Sequence, residues 1–184
     1  TMSETEYVVL LDDFGNEIGT APKATVHDTE TPLHLAFSCH VVNSAGEVLV
    51  TRRALHKKTW PGVWTNSFCG HPGPSEASLA AVHRRAEHEV GLVIRDLELA
   101  LPNFRYRAVD ASGIVEHEIC PVYIARADVD PEPNPDEVAE YRWVDPLELA
   151  ASLESTPWAF SPWLVLQAQQ LHLFQTPHTV RRAS

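Results

Sequence analysis

The sequence predicts one domain of the α+β class. Three observations carry that reading. The chain has 184 residues, enough for one core that buries about 70% of the unfolded surface. Strand-like and helix-like segments mix without the regular βαβ alternation of a parallel sheet. No repeat or low-complexity tract divides the sequence, so the domain is expected to run over 1–184, with a loose tail over 177–184.

Tyr7–Leu11 reads as a strand, and Asp13-Phe14-Gly15-Asn16 as a hairpin turn. Leu33, Leu35, Phe37, Cys39 and Val41 alternate with other residues, as in a half-buried strand. Asn43-Ser44-Ala45-Gly46 turns the chain into a strand at Val48–Thr51. Residues 56–75, rich in Pro, Gly, Trp and Lys, read as a long loop, a kind of segment that commonly carries function. Leu79, Val82, Ala86 and Val90 recur at helical spacing, predicting a helix over Glu76–Val90 that stops at Gly91. Strands are expected near Phe104–Val109 and Ile114–Ala125, a loop at Pro131–Pro135, a short strand at Tyr141–Val144, and helices over Pro146–Ser155 and Pro162–Phe174.

The formal net charge is −11, which repels nucleic acid and anionic membrane surfaces. Neither is expected as a partner, and any phosphate site has to be a local basic pocket. No run approaches the ~20 apolar residues of a membrane span. The opening TMSETEYVVL lacks a basic segment followed by an apolar run, so no secretory leader is expected. The three cysteines, Cys39, Cys69 and Cys120, form no CxxC pair, which argues against disulfides and a Cys-type zinc site. A cytoplasmic location is expected, and Cys39 reads as core.

Cys69 and His71, and likewise Glu116 and Glu118, stand two apart in extended stretches, so each pair can converge on one spot. Two carboxylates on one enclosed face repel unless a cation or proton intervenes. On residue type alone, an edge strand with a solvated acidic face explains Glu116 and Glu118 as well. With His27, His34 and His71 they make a mixed N/O set suited to Mn²⁺, Mg²⁺, Fe²⁺ or Zn²⁺ rather than a closed structural zinc site. Each histidine alone is one of ten and reads as ordinary.

Basic residues cluster at Arg52-Arg53, Lys57-Lys58 and Arg84-Arg85, with Lys23 apart. They suit a diphosphate pocket, or simply a solvated surface on which Arg85 pairs with Glu89 at i, i+4. Trp60, Trp64, Trp158, Trp163 and Tyr106 fit a core, or a π face against a cation.

In combination these pieces resemble known families. Gly70, Glu76, Arg84, Glu89, Gly91 and Leu92 match the Nudix box, with two of its glutamates replaced by Arg85 and His88. The stretches Trp60-Pro61-Gly62-Val63-Trp64-Thr65-Asn66, Cys69-Gly70-His71-Pro72, Glu116-His117-Glu118-Ile119-Cys120-Pro121 and Trp158-Ala159-Phe160-Ser161-Pro162-Trp163 look like type I isopentenyl-diphosphate isomerase, from about Tyr7 to about Gln170. The resemblance implies a mixed sheet sandwiched between helices. It implies double-bond transposition between isopentenyl and dimethylallyl diphosphate, with Cys69 and Glu118 as the acid/base pair. It assigns Tyr106 a hydrogen bond near Glu118 and Trp163 a place facing a carbocation. His27, His34, His71, Glu116 and Glu118 would hold one divalent metal, Mn²⁺, Mg²⁺ or Zn²⁺. Lys23, Arg53, Lys57 and Arg85 would contact the diphosphate, and Glu89 would hold a bridging Mg²⁺. The implied partner is a small-molecule diphosphate, and the implied state a monomer or weak homo-oligomer. The rival readings are a Nudix hydrolase of a nucleoside diphosphate derivative and a non-catalytic module that binds a prenyl diphosphate.

Overall fold

A computed structural model of the chain describes residues 5–175, so the tail expected over 177–184 lies outside the described residues. In chain order the elements are β1 (Tyr7–Leu11), β2 (Glu17–Pro22), α1 (Lys23–Val26), β3 (His34–Leu35), β4 (Phe37–Val42), β5 (Val48–Arg53), β6 (Trp64–Thr65), β7 (Phe68–Gly70) and α2 (Ser78–Val90). They continue as β8 (Arg95–Leu101), β9 (Arg105–Val109), β10 (Val115–Ile119), β11 (Val122–Arg126), β12 (Val138–Val144), α3 (Pro146–Ser155) and α4 (Pro162–Ala168), with short 3-10 turns at Pro157–Ala159 and His172–Phe174. The α+β class is as predicted.

The strands form two mixed sheets. One has the order β2-β1-β3-β10-β9; the other runs β12-β5-β4-β11-β8, with β6 added to β5 and β7 to β4. The predicted strand through Leu33–Val41 belongs to both. It breaks at Ala36, and the partner stretch Ile114–Ala125 breaks at Cys120-Pro121, where proline has no N–H for the ladder. Across the break Ala36 N–H donates to Ile119 O at 3.0 Å and Ser38 N–H to Pro121 O at 3.1 Å, so one parallel pairing bends from the first sheet into the second.

All six residues of β4 are buried, which corrects the half-buried expectation. Phe37, Cys39 and Val41 face a core with Val82, Ala86 and Val90 of α2. A second core gathers Val48, Val50 and Val122 with Leu149 and Leu153 of α3 and Trp163, Leu164 and Ala168 of α4. Helices thus cover both faces of the second sheet, which leaves β4 no solvated face. Cys39 is core, as expected.

The helix expected from Glu76 starts at Ser78. Glu76 instead accepts from Gly73 N–H at 2.9 Å and from the Arg84 guanidinium. Leu79 is 56% exposed, so Ala81 rather than Leu79 completes the buried stripe. Gly91 ends α2 in the left-handed region, φ 63°, as its position predicts. The segment Pro162–Phe174 is an α-helix only to Ala168. Leu171 is extended, and the 3-10 turn after it buries Phe174 beside Leu171. The 56–75 loop contains β6 and β7, and Trp158, which fitted a core or a π face, is 81% exposed.

Candidate active site

Strand register builds the centre of the site. His34 of β3 pairs with Glu118 of β10, and Glu118 with Tyr106 of β9, which places the three in one row across the sheet. Glu116 and Glu118 lie on an inner strand and are buried, so the solvated edge reading fails. Tyr106 Oη donates to Glu118 Oε1 at 2.5 Å. His71 Nε2 lies 2.7 Å from Glu118 Oε2 and His34 Nε2 3.1 Å from the same oxygen. His27 Nε2 lies 2.9 Å from Glu116 Oε2, whose other oxygen accepts from Thr59 at 3.0 Å. Ligand atoms of His27, His34, His71 and Glu118 all lie within 4.8 Å of one another. Glu116 joins this group only through His27.

The donor set can hold a metal ion, and one atom argues for it. His34 Nδ1 lies 2.9 Å from the Pro32 carbonyl, an acceptor, so Nδ1 carries the proton. In the neutral ring Nε2 is then a lone pair aimed at a buried carboxylate, and it has no hydrogen-bond partner. A cation between the two acceptors removes that conflict, and the Pro32 contact fixes the ring as metal-binding histidines commonly are fixed. Burial pushes Glu118 up, yet the His34 and His71 contacts hold it well below the usual carboxylate range. Burial pushes His34 down, but Glu118 outweighs it and raises the ring.

Cys69, on β7, is paired in register with Ser38 of β4. Burial pushes its thiol up to about 12, so at neutral pH the sulfur carries its proton. Its S–H is directed at Asn66 Oδ1, 3.3 Å away, and Ser38 Oγ lies 3.4 Å off. Trp163, at the start of α4, is 3% exposed and donates Nε1–H to the same Asn66 oxygen at 3.0 Å. Its ring centroid lies 5.8 Å from that of Tyr106 and 5.4 Å from that of Trp60.

One cleft of about 670 Å³ is lined by Cys69, His71, Tyr106, Glu116, Glu118 and Trp163, and also by Lys23, Arg53, Lys57, Arg85 and Glu89. The predicted basic residues therefore meet at one place, each with a partner. Arg85 pairs with Glu89 at 3.1 Å and lies 3.8 Å from Glu137; the pairing is the i, i+4 contact that spacing allowed. Lys57 pairs with Glu137, and Lys23 with Glu6 at 3.2 Å. Arg53 donates to the Thr59 and Trp60 carbonyls and stacks over Trp163, 5.4 Å from the ring centroid. Burial pushes Glu89 up despite Arg85. Arg85 is buried, and its Nε has no hydrogen-bond partner. Gly70 permits this packing, since a Cβ there would come within 2.6 Å of Arg85 Cγ.

Sequence reasoning missed Glu137, Thr59, Asn66 and Ser38. Asn66 stood in the motif that ends Trp64-Thr65-Asn66, which offered a signal. Glu137 follows a loop with no pattern of its own, and none pointed to it.

A family model described as the NUDIX domain matches residues 32–164. The isopentenyl-diphosphate Delta-isomerase of Agromyces mediolanus is 66% identical over 92% of this chain and 82% of its own length. That of Clavibacter sepedonicus is 63% identical, over 95% and 92%. Among solved structures, protein DR0079 from Deinococcus radiodurans superposes with a TM-score of 0.71 at 18% identity, covering 91% of this chain and 99% of that one; this likeness is one of fold. With that domain across most of its length and such relatives over more than nine-tenths of it, the chain belongs to the isopentenyl-diphosphate Delta-isomerase family, on the NUDIX fold.

Proposed function

We propose that the chain interconverts isopentenyl and dimethylallyl diphosphate. The observation that carries this is a single cleft lined by the Cys69 thiol, the Glu118 carboxylate, the Trp163 ring and four basic side chains. The names of the two isomerase relatives support the same reading.

Cys69 and Glu118 exchange protons with the two ends of the allylic unit. One group gives a proton to an alkene carbon, and the π pair becomes a C–H bond. The other takes a proton from the carbon beyond, and that C–H pair becomes the new double bond. Cys69 rests as an acid and Glu118 as a base, which suits one group to each task. The cation between the two transfers is tertiary, and the Trp163 π face offsets its charge. Tyr106 holds Glu118 Oε1 in place.

Arg53 and Arg85 offer forked contacts to the diphosphate, and Lys23 and Lys57 offer point charges. Glu89 is suited to a Mg²⁺ that accompanies the diphosphate. His27, His34, His71, Glu116 and Glu118 are suited to a second divalent ion, Mn²⁺, Mg²⁺ or Zn²⁺, which would supply positive charge beside two buried carboxylates.

The hydrolase reading is weakened because Arg85 and His88 stand where box carboxylates would be, and Arg85 occupies the remaining Glu89. The test is incubation with isopentenyl diphosphate and Mg²⁺, followed by proton NMR and phosphate assay. Dimethylallyl signals without phosphate release are expected. Phosphate release, or an unchanged substrate, overturns the reading.

A further inference from the structure

Behind Cys69 lies a buried polar chain that the chemistry above leaves unused. Ser38, His40 and Gln167 are all fully buried. His40 Nε2 lies 2.9 Å from Gln167 Oε1, and Gln167 Nε2 donates to Ser38 Oγ at 2.9 Å. Ser38 Oγ lies between two sulfurs, 3.4 Å from Cys69 and 3.3 Å from Cys120.

The direction of this chain follows from one orphan atom. His40 Nδ1 is buried with no partner. A buried N–H left unpaired is rarer than an unpaired acceptor, so the proton sits on Nε2. Burial pushes His40 down to about 4, which leaves the ring neutral with that single N–H. His40 then donates to Gln167 Oε1, and the Gln167 amide turns its N–H to Ser38. Ser38 Oγ has two lone pairs: one takes the Gln167 N–H, the other can take the Cys120 S–H. The Ser38 proton can serve either sulfur; the Cys69 S–H is directed at Asn66 Oδ1, which leaves that sulfur as the acceptor.

The Cys69 proton has a different acceptor. Asn66 Nδ2 donates to the carbonyls of Cys39 and Phe68 at 3.1 and 2.8 Å. This fixes Oδ1, which accepts from Thr65 Oγ1 at 2.9 Å and from Trp163, toward the Cys69 sulfur as well. The sulfur thus faces one fixed acceptor and one directed donor. A group that gives and takes a proton in a reversible reaction has to be held in both states.

We propose that Ser38 is a positioning residue that supports the deprotonated sulfur of Cys69, directed there by Gln167 and His40, while Asn66 serves the protonated sulfur. This rests on the acid/base reading of Cys69. When the S–H proton moves to a substrate carbon, the sulfur keeps the electron pair and the Ser38 O–H···S contact becomes charge-assisted. No proton leaves Ser38.

Ser38→Ala tests it in the metal-loaded full chain. A hydrogen bond to a charged group carries roughly ten- to hundredfold in rate, so kcat should fall by about that factor with KM for isopentenyl diphosphate within about twofold. Because the overall equilibrium is fixed, kcat/KM should fall equally from the dimethylallyl side. A loss under about threefold, or one expressed in KM, overturns the role. Should Ser38→Ala fail to fold by circular dichroism, Gln167→Met decides. It keeps length, removes the directing N–H and leaves Cys69 contacts untouched. A drop in its kcat at constant KM supports the role, and an unchanged kcat overturns it. Absence of isomerisation by the parent chain is a separate result, which overturns the activity itself.

Discussion

Tyr106 and Glu118 share a 2.5 Å hydrogen bond at Oε1, while Glu118 Oε2 faces His71 at 2.7 Å and His34 at 3.1 Å. The two oxygens of one carboxylate are thus held by different kinds of group, a phenol on one side and two imidazoles on the other. Tyr106→Phe removes only the phenol donor. The expected outcome is a kcat loss of roughly tenfold or more, the scale of a charged hydrogen bond, with metal content unchanged. Loss of metal together with activity would show that Tyr106 acts on the imidazole side instead.

His27→Ala and His71→Ala remove separate members of the cluster within 4.8 Å. Metal analysis after dialysis against a chelator should show each variant depleted relative to the parent. Full retention in both would end the metal assignment. Since ligating imidazoles must be deprotonated, retention in the parent should also weaken as pH falls.

The strands Tyr7–Leu11 and Val48–Thr51 and the helix Pro146–Ser155 were legible because their apolar spacing or proline start matches the burial they adopt. β2 was not, because its side chains are largely exposed and show no apolar alternation; β8 was missed although Leu97, Leu99 and Leu101 alternate, on a strand whose side chains are also largely exposed. α1, four residues long, has too few turns to set a period. The cluster of His27, His34, His71 and Glu118 was legible from residue type plus resemblance. The roles of Ser38 and Asn66 were not, although Asn66 stood in a quoted motif, because they lie in the direction of hydrogen bonds, which no sequence pattern carries.

His40 makes stability depend on acid. Its ring is neutral in the fold, and burial pushes it down to about 4 from 6.5. The unfolded chain takes up a proton below about pH 6.5, while the folded chain does so only near 4. This stability is therefore fully present above pH 6.5 and is lost as pH falls toward 4. A shift of that size corresponds to about 3 kcal/mol. In His40→Gln, urea unfolding between pH 6.5 and 4 should lose less stability than the parent by about that amount. Parallel pH curves would refute the assignment.

Gly91 has φ 63°, and a Cβ there would lie 2.5 Å from the Glu132 carbonyl oxygen. Gly91→Ala combines a left-handed backbone with a clash against main chain. It should cost of order 1–3 kcal/mol, seen as a lower melting temperature, while kcat at 20 °C stays near the parent value. An unchanged melting temperature would mean that the loop at Glu132 yields freely.

Trp163 separates a π role from packing. Its indole N–H is bonded to Asn66, and its ring contacts Trp60 and Tyr106. Both Trp163→Phe and Trp163→Leu lose the indole N–H, so that loss cancels between them. What distinguishes the two variants is the aromatic ring. A desolvated cation–π contact is worth roughly 2 kcal/mol or more, about thirtyfold in rate. Turnover should therefore rank Trp, then Phe, then Leu well below both. If Trp163 only packs, Phe and Leu should lower the melting temperature together and affect turnover about equally. Arg53 already lies 5.4 Å from the ring centroid, so the ring accepts a cation as built. Phe and Leu also change the ring under Arg53, so KM is read beside kcat: a loss routed through Arg53, proposed to contact the diphosphate, should appear in KM. Measuring melting temperature and kcat on the same three samples decides the case: equal kcat for Phe and Leu leaves Trp163 as a packing residue and removes it from the proposed mechanism.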